Sequence, residues 1–366
     1  MSTSPATPAC PTSPLPPLDE LPVDSILIVS FGGPEGMEDV LPFLENVLRG
    51  KNVPQERMLE VSEHYKQFGG VSPINEQCRQ LMAAIEIEVK RRNLDLPIYW
   101  GNRNWHPLLT DTLGTMAADG RKRAIAFFTS MFSCYSGCRQ YRENLAAAQS
   151  SVADSSGGDS APKIEKIRKG FNHPDFIAAQ KDCLERALSQ LPAEVRDETL
   201  VIFCAHSIPK TMADNSRYEE QLRESARLVC EAANHGQWEL AFQSRSGPPQ
   251  QPWLEPDICA RIEQLHLERG IKHIVVQPLG FISDHMEVLY DLDHEAGDLC
   301  KEKGIQFVRA ATVGVHPRFV SMIVDLIEER LSTDTERPFV GSYGPSHDLC
   351  PMNCCLYPQT SRRPGS

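Results

Sequence analysis

The sequence predicts an α/β protein of two Rossmann-like halves, each a four-stranded parallel sheet flanked by helices, with an active-site cleft between them. Three observations predict it. Short β-rich runs alternate with helical stretches along the whole body. Eight such runs fall as four and four, on either side of a long amphipathic helix. A chain of 366 residues has ample core for two such units. Alternation of strand and helix demands crossover connections, and these make sheets parallel and cover both faces.

The first half opens with the strand "SILIVSF" (25–31) and the helix "MEDVLPFLENVLRG", closed by Gly50. One helix follows from Pro54 and another from about Pro73 to Arg92. "PIYWGN" (97–102) is the second strand, and "HPLLTDTLGTMAADG" a helix with Pro107 in its first turn. "RAIAFFTS" (123–130) is the third strand, followed by a helix over roughly Gly137–Ala148. "SSVADSSGGDSAP" (150–162) reads as a flexible loop, and "KIEKIRK" as the fourth strand.

A helix over His173–Leu191 leads into the second half. Its strands are "TLVIFCAHS" (199–207), "WELAFQS" (238–244), "KHIVVQPLGF" (272–281) and "IQFVRAATV" (305–313), and a last helix spans about Pro317–Leu331. The expected organisation is a disordered Pro/Ser/Thr-rich arm over 1–22, a first α/β domain over 23–171, a second over 172–314, and a cysteine-bearing tail over 334–366. The last helix, 315–333, is expected to pack back on the first domain.

Composition narrows function by exclusion. Hydrophobic residues at 41% and charged residues at 23% describe a soluble globular protein. A net charge of −12 argues against a nucleic-acid binder, which needs a basic face for phosphates. No run of 18 apolar residues exists, so no transmembrane segment is expected, while peripheral membrane contact stays open. The first 22 residues lack a cationic start and an apolar stretch, so they do not read as a secretory signal, and a cytoplasmic location is expected. Several of the twelve cysteines sit in apolar runs, such as Cys204 and Cys230, and read as buried free thiols.

Parallel sheets bind ligands beyond the carboxyl ends of their strands, so those ends hold the candidates. The first strand ends in Gly32 and Gly33, which make a tight turn or admit a ligand closely. No G-x-G-x-x-G or P-loop is present. Arg103, after the second strand, suits a ligand carboxylate or is a plain surface arginine. His206, after the fifth strand, titrates near neutrality and can ligate a metal. After the seventh strand comes "SDHMEVLYDLDHE", with Asp284, His285, Glu287 and Asp291 at the opening of a helix. Spacing i, i+3, i+7 places Asp284, Glu287 and Asp291 on one helical face, with His285 off that stripe. Acidic first turns are common, but Asp291 lies two turns in. A partly buried acidic row beside a histidine suits protons or a divalent cation.

"SFGGPE", "FGGVSPI", "YWGNRNWHP", "AHSIP", "QSRSGPPQQPW" and "GFISDHMEVLYDLD" occur in this order between about residues 25 and 332. Together they resemble the ferrochelatase family, most closely its actinobacterial type. The resemblance implies insertion of Fe²⁺ into a porphyrin, with loss of two pyrrole protons, in haem synthesis. The partners it implies are a porphyrin and ferrous iron. It also implies that His206 and Glu287 face each other across the cleft as proton acceptor or iron ligand. Asp291, Asp284 and His285 would stand behind Glu287 as the path for metal or protons. Phe31, Ser72, Arg103, Tyr135 and Trp253 would touch the ring or its propionates. Phe31 stands where some members carry a tyrosine, and phenylalanine offers iron no ligand.

Near the end the chain reads "LCPMNCCLYP" (349–358). Many family members carry a [2Fe–2S] cluster on three C-terminal cysteines and one internal cysteine. The resemblance therefore implies a cluster on Cys350, Cys354 and Cys355, with the fourth thiolate from "FSCYSGCRQY", either Cys138 or Cys134. Tetrahedral Zn²⁺ on four cysteines is the alternative occupant. The competing functions are a cobalt or nickel tetrapyrrole chelatase, a metal or haem carrier without turnover, and an iron–sulfur sensor. Between coproporphyrin III and protoporphyrin IX the resemblance favours coproporphyrin III. Oligomeric state is not readable.

Overall fold

The computed structural model describes residues 22–50, 53–156, 161–248, 250–332 and 335–357. Most of the expected arm, 1–21, lies outside them. The first sheet holds β1 (Ser25–Ser30), β2 (Ile98–Asn102), β3 (Arg123–Phe128) and β4 (Lys163–Lys166), all parallel, in the order β2-β1-β3-β4. The second holds β5 (Leu200–His206), β6 (Trp238–Gln243), β7 (His273–Gln277) and β8 (Gln306–Arg309), in the order β6-β5-β7-β8. The orders are identical in pattern, so the halves repeat one topology. Strand order reverses beside β1 and β5, the place where such sheets open a crevice.

Helices α1 (Met37–Leu48), α2 (Gln55–Gln67) and α3 (Ile74–Arg91) join β1 to β2. α4 (Leu109–Ala118) joins β2 to β3, and α5 (Gln140–Ser156) joins β3 to β4. α6 (Pro174–Leu188) crosses to the second half, where α7 (Lys210–Asp214) and α8 (Tyr218–Ala232) follow β5. α9 (Ile258–Arg269) follows β6. α10 (Met286–Val288), a π-helix (Leu289–Ala296) and α11 (Gly297–Glu302) follow β7, and α12 (Pro317–Leu331) ends the body.

The period-2 pleat sorts β1. Leu27 and Val29 face Leu113 and Met116 of α4 and Leu145 and Val152 of α5. Ile26 and Ile28 face the opposite way, into a core shared with Ile85 of α3, Leu184 of α6 and Ile323 of α12. That core continues to Val201 and Phe203 of β5, so the two sheets enclose one apolar layer. α12 packs on both α3 and α6. Arg92, just after α3, pairs with Asp325 and Glu328 of α12, and Arg168, just after β4, makes two hydrogen bonds to Glu329 of α12 at 2.7 and 2.8 Å.

Three local readings are corrected. Pro107 is not in the first turn of α4: its carbonyl accepts the Asn102 amide at 2.7 Å, and the helix starts at Leu109. The flexible loop expected from residue 150 is helical through Ser156, because Leu145, Ala148 and Val152 keep one buried stripe. The serines there bond back along the helix, Ser155 Oγ to the Ser151 carbonyl at 3.0 Å. The acidic row after β7 lies largely on a π-helix, whose wider turn stacks residues four apart rather than three and seven.

Candidate active site and thiol nest

His206 ends β5, with its ring Nδ1 against the Ser207 carbonyl. The His206 carbonyl accepts the hydroxyl of Tyr218, on α8, at 3.1 Å. Its Nε2 lies 3.5 Å from Oε2 of Glu287 on α10. Gln243, at the end of β6, donates to the Glu287 carbonyl at 3.1 Å and to Asp291 Oδ2 at 3.3 Å. Ser244 Oγ also donates to that Asp291 oxygen. Burial pushes the Asp291 carboxyl up to about 7; the Ser244 hydroxyl opposes this, and the charges of Glu287, Glu295 and Asp257 add to it.

Glu287, Asp291 and Glu295 thus form the row at four-residue spacing, with Asp257 beside its far end. Asp284 is not part of it. It precedes α10, and Arg309 Nη1 and Thr312 Oγ1 bind it at 3.1 and 3.2 Å. His285 packs edge-on to Phe281 at 4.9 Å between ring centroids. Burial holds its ring below the ordinary 6.5.

The first half closes on this segment. Met286 joins Val40, Phe43 and Leu44 of α1 and Tyr65 of α2. The Asp284 amide donates to Gln77 Oε1 of α3 at 2.8 Å, and Tyr290 stacks on His64 of α2 at 3.9 Å. Burial raises the Tyr65 phenol, and the Glu287 charge raises it further, so α2 lies within electrostatic reach of the pair.

Phe31, just after β1, packs edge-on against Phe43. Arg103 lies over both Phe31 and Tyr141, at 5.6 and 4.6 Å from the ring centroids, and donates to Asn144 Oδ1 at 2.7 Å. Ser72 is buried, its amide bound to the Pro34 carbonyl at 2.9 Å. A Cβ on Gly33 would meet Ser72 Oγ at 2.9 Å, and Gly32 holds φ +84, so packing and turn geometry account for both glycines. Tyr135 and Trp253 are engaged elsewhere. Tyr135 donates to Glu143 at 2.9 Å and meets Tyr357 of the tail edge-on. Trp253 folds onto Gly247 of its own loop.

The arrangement offers an imidazole nitrogen and a carboxylate oxygen side by side, with a second, near-neutral carboxyl behind. That set can hold a borderline divalent cation and accept protons. Comparison with known proteins assigns the chemistry. The family model described as Ferrochelatase matches residues 23–331. A protein named "Ferrochelatase" from Rhodopirellula baltica is 59% identical, covering 94% of this chain and 95% of its own. The "Coproporphyrin III ferrochelatase" of Streptomyces coelicolor is 48% identical over 95% of this chain and 97% of its own. This chain belongs to the ferrochelatase family. It is a metal chelatase that inserts Fe²⁺ into a porphyrin in haem biosynthesis. The readings as a cobalt or nickel chelatase, or as a carrier or sensor without turnover, are not favoured by these matches. Among solved structures, SirB from Bacillus subtilis aligns with TM-score 0.53 at 10% identity, over 85% of this chain and 96% of that one, and shows the fold alone.

Outside this site the ferrochelatase chain gathers its other thiols. Cys138 lies in a π-turn (Tyr135–Arg139) before α5, beside Cys350. Cys354 Sγ lies 3.6 Å from Cys355 Sγ and within 4.8 Å of Cys350 Sγ. Cys134 instead turns inward, accepting the Gly137 amide at 3.1 Å. Cations bind the carbonyls around this nest. Lys169 Nζ binds that of Gly137 at 2.8 Å, and Arg139 those of Met352 and Cys354 at 2.6 and 3.3 Å. All four thiols are free.

The sequence reading missed Gln243, Ser244, Tyr218 and Asp257. Gln243 and Ser244 stand at a strand's carboxyl end, where the general rule already pointed. Tyr218 acts through a backbone carbonyl and leaves no sequence signal.

Proposed function

We propose that the porphyrin is coproporphyrin III, and that His206 and Glu287 form the site where Fe²⁺ enters and pyrrole protons leave. The 3.5 Å approach of His206 to Glu287 carries the site assignment. The names of relatives from several actinobacteria support the substrate. Two pyrrole protons leave as iron enters. The His206 imidazole accepts one at the ring nitrogen nearest Glu287, and the other passes by way of Glu287 to the carboxylate of Asp291, whose carboxyl burial lifts to about 7, and from there toward Glu295 and solvent. Glu287 supplies an oxygen donor as the incoming ion sheds water. Phe31 and Arg103 form the wall at the ends of β1 and β2. His285 and Asp284 act as supports: Asp284 anchors the loop before α10 through Arg309, and His285 packs beneath it. The cytoplasm is the proposed location; among the described residues no helix is long and apolar enough to cross a membrane.

Anaerobic Fe²⁺ insertion, followed by porphyrin absorbance with both substrates, tests this. The expected result is faster turnover of coproporphyrin III and a loss of roughly 10²–10⁴-fold in His206→Ala. Faster turnover of protoporphyrin IX would overturn the substrate, and full activity in His206→Ala would overturn the site.

The tail is proposed to carry a [2Fe–2S] cluster on Cys138, Cys350, Cys354 and Cys355. The residues fit: four free thiols meet in one nest, with Lys169 and Arg139 beside them to offset thiolate charge. A bound cluster would supply iron–thiolate bonds that fasten the tail to the π-turn before α5. Cys138→Ser is expected to abolish the iron and acid-labile sulfide of the purified chain, and Cys134→Ser to keep both. The reverse pattern would make Cys134 the ligand.

A further inference from the structure

The nest contains one donor more than a four-cysteine cluster requires. Nε2 of His347 lies 3.8 Å from Cys354 Sγ. The donor atoms of His347, Cys350 and Cys354 all lie within 4.8 Å of one another. Cys355 is 3.6 Å from Cys354, and Cys138 lies beside Cys350. Three donors, one of them an imidazole, therefore converge on one point, with Cys355 and Cys138 beside them.

Their spacing has a definite meaning. Bonds of about 2.3 Å to sulfur and about 2.0–2.1 Å to nitrogen, at tetrahedral angles, place two sulfurs about 3.8 Å apart and a sulfur and nitrogen about 3.6 Å apart. The observed 3.6 Å between Cys354 and Cys355 and 3.8 Å between Cys354 and His347 fall within 0.2 Å of those edges. A binuclear cluster needs pairs of thiols on two separate metal atoms. A pair such as Cys354 and Cys355 suits one iron of a cluster as well as a single ion; the donor a four-cysteine cluster leaves unused is His347, grouped with Cys350 and Cys354.

We propose that the nest has a second occupancy: a single tetrahedral divalent ion of the zinc class, bound by His347 Nε2, Cys350, Cys354 and one further thiol. This rests on reading the nest as a metal site, but not on the cluster. The chain supplies its own support for the imidazole. The Lys166 ammonium lies 3.5 Å from the His347 carbonyl, and Arg337 holds Asp348 at 2.8 Å and the Ser346 carbonyl at 2.8 Å. The backbone on either side of His347 is therefore fixed, and the ring enters the nest from a constrained segment. In this state the tail stays docked when iron and sulfide are not supplied.

The test uses the full chain. Iron and acid-labile sulfide are first assayed as purified, and the chain is then stripped with chelator under reducing conditions. Co²⁺ is added as the spectroscopic probe and Zn²⁺ as the competitor. The expected result is one equivalent of Co²⁺ with intense visible bands of tetrahedral cobalt, displaced by one equivalent of Zn²⁺. His347→Ala should weaken Co²⁺ binding by at least about tenfold, the lower range for loss of a group supporting a metal site, and alter the bands. His347→Cys, which restores a donor, should recover affinity with an all-sulfur spectrum. Anaerobic reconstitution of the cluster should succeed in His347→Ala, which keeps all four thiols. Unchanged affinity and bands in His347→Ala would overturn the proposal. Lack of iron and sulfide in the purified wild type, with Co²⁺ still bound through His347, would overturn only the cluster. Failure of the stripped wild type to bind Co²⁺ would overturn the second occupancy, whatever the iron assay shows.

Discussion

Asp284 and Glu287, three residues apart, serve different partners. Glu287 lies 3.5 Å from the His206 ring, while Arg309 Nη1 holds Asp284 at 3.1 Å. The segment between them turns from extended backbone at His285 into α10, so the acids do not share a helical face. Asp284 fastens the loop after β7 to β8, and its amide reaches across to Gln77.

Asp284→Asn should therefore act on stability rather than chemistry. The variant keeps the shape and the Thr312 contact but removes the charge that Arg309 binds. Hydrogen bonds to charged groups contribute roughly 1.5–3 kcal/mol, and Asp293 retains part of the Arg309 interaction. Urea denaturation should show a loss of about 1–2 kcal/mol. kcat should stay close to wild type. A large fall in kcat with unchanged stability would put Asp284 back in the reaction path.

Asp291 makes a pH-dependent contribution of the opposite sign to an ordinary paired carboxylate. Burial, with Glu287, Glu295 and Asp257 adding to it against Ser244, lifts its carboxyl from 3.8 to about 7. Between those values the folded protein keeps a proton that the unfolded chain has lost. The stabilisation is complete below pH 3.8 and disappears as the pH rises through 7. Asp291→Asn removes the ionisation and keeps an acceptor for Ser244. Between pH 5.5 and pH 8 the variant should gain on the order of 2 kcal/mol relative to wild type in urea denaturation. If Asp291 also takes pyrrole protons, the limb of the kcat profile near pH 7 should vanish with it. A stability difference that does not change with pH would show that Asp291 is ionised throughout.

How far the sequence carried the fold follows from where its signals are local. Most of the eight strands are compact apolar runs, though β4 reads KIEK, and alternation with helices makes the sheets parallel, so the architecture was legible. His206 and Glu287 were singled out because they follow strands at the end where such sheets bind ligands, and the structure sets them 3.5 Å apart. The π-helix was not: the buried stripe Val288, Leu292 and Ala296 suits an ordinary helix as well. Trp253 and Tyr135 were carried over as ring contacts by the family resemblance. Their partners, Gly247 and Glu143, are a local loop contact and a residue one helix on. His347 was passed over because the cysteines around it dominated the pattern.

The α12 interface contains an ion pair whose cost of disruption is open to measurement. Arg168 and Glu329 are almost wholly buried and joined by two hydrogen bonds, and Arg168 also reaches the Pro338 carbonyl. Their attraction offsets the loss of water from both, so removing one charge leaves the other stranded. Arg168→Met should cost about 3–5 kcal/mol. The double variant Arg168→Met, Glu329→Leu strands neither, and should recover most of that loss, because a well-packed apolar pair is often equal to a buried ion pair. Arg337 Nε stands 3.5 Å from Glu329, so a smaller loss in Arg168→Met would mean that Arg337 takes over as counterion. Adding Arg337→Met to Arg168→Met should then expose the full penalty. Because α12 joins α3 and α6 between the two sheets, the loss should appear as one cooperative transition. Two separated transitions would show that the halves unfold independently.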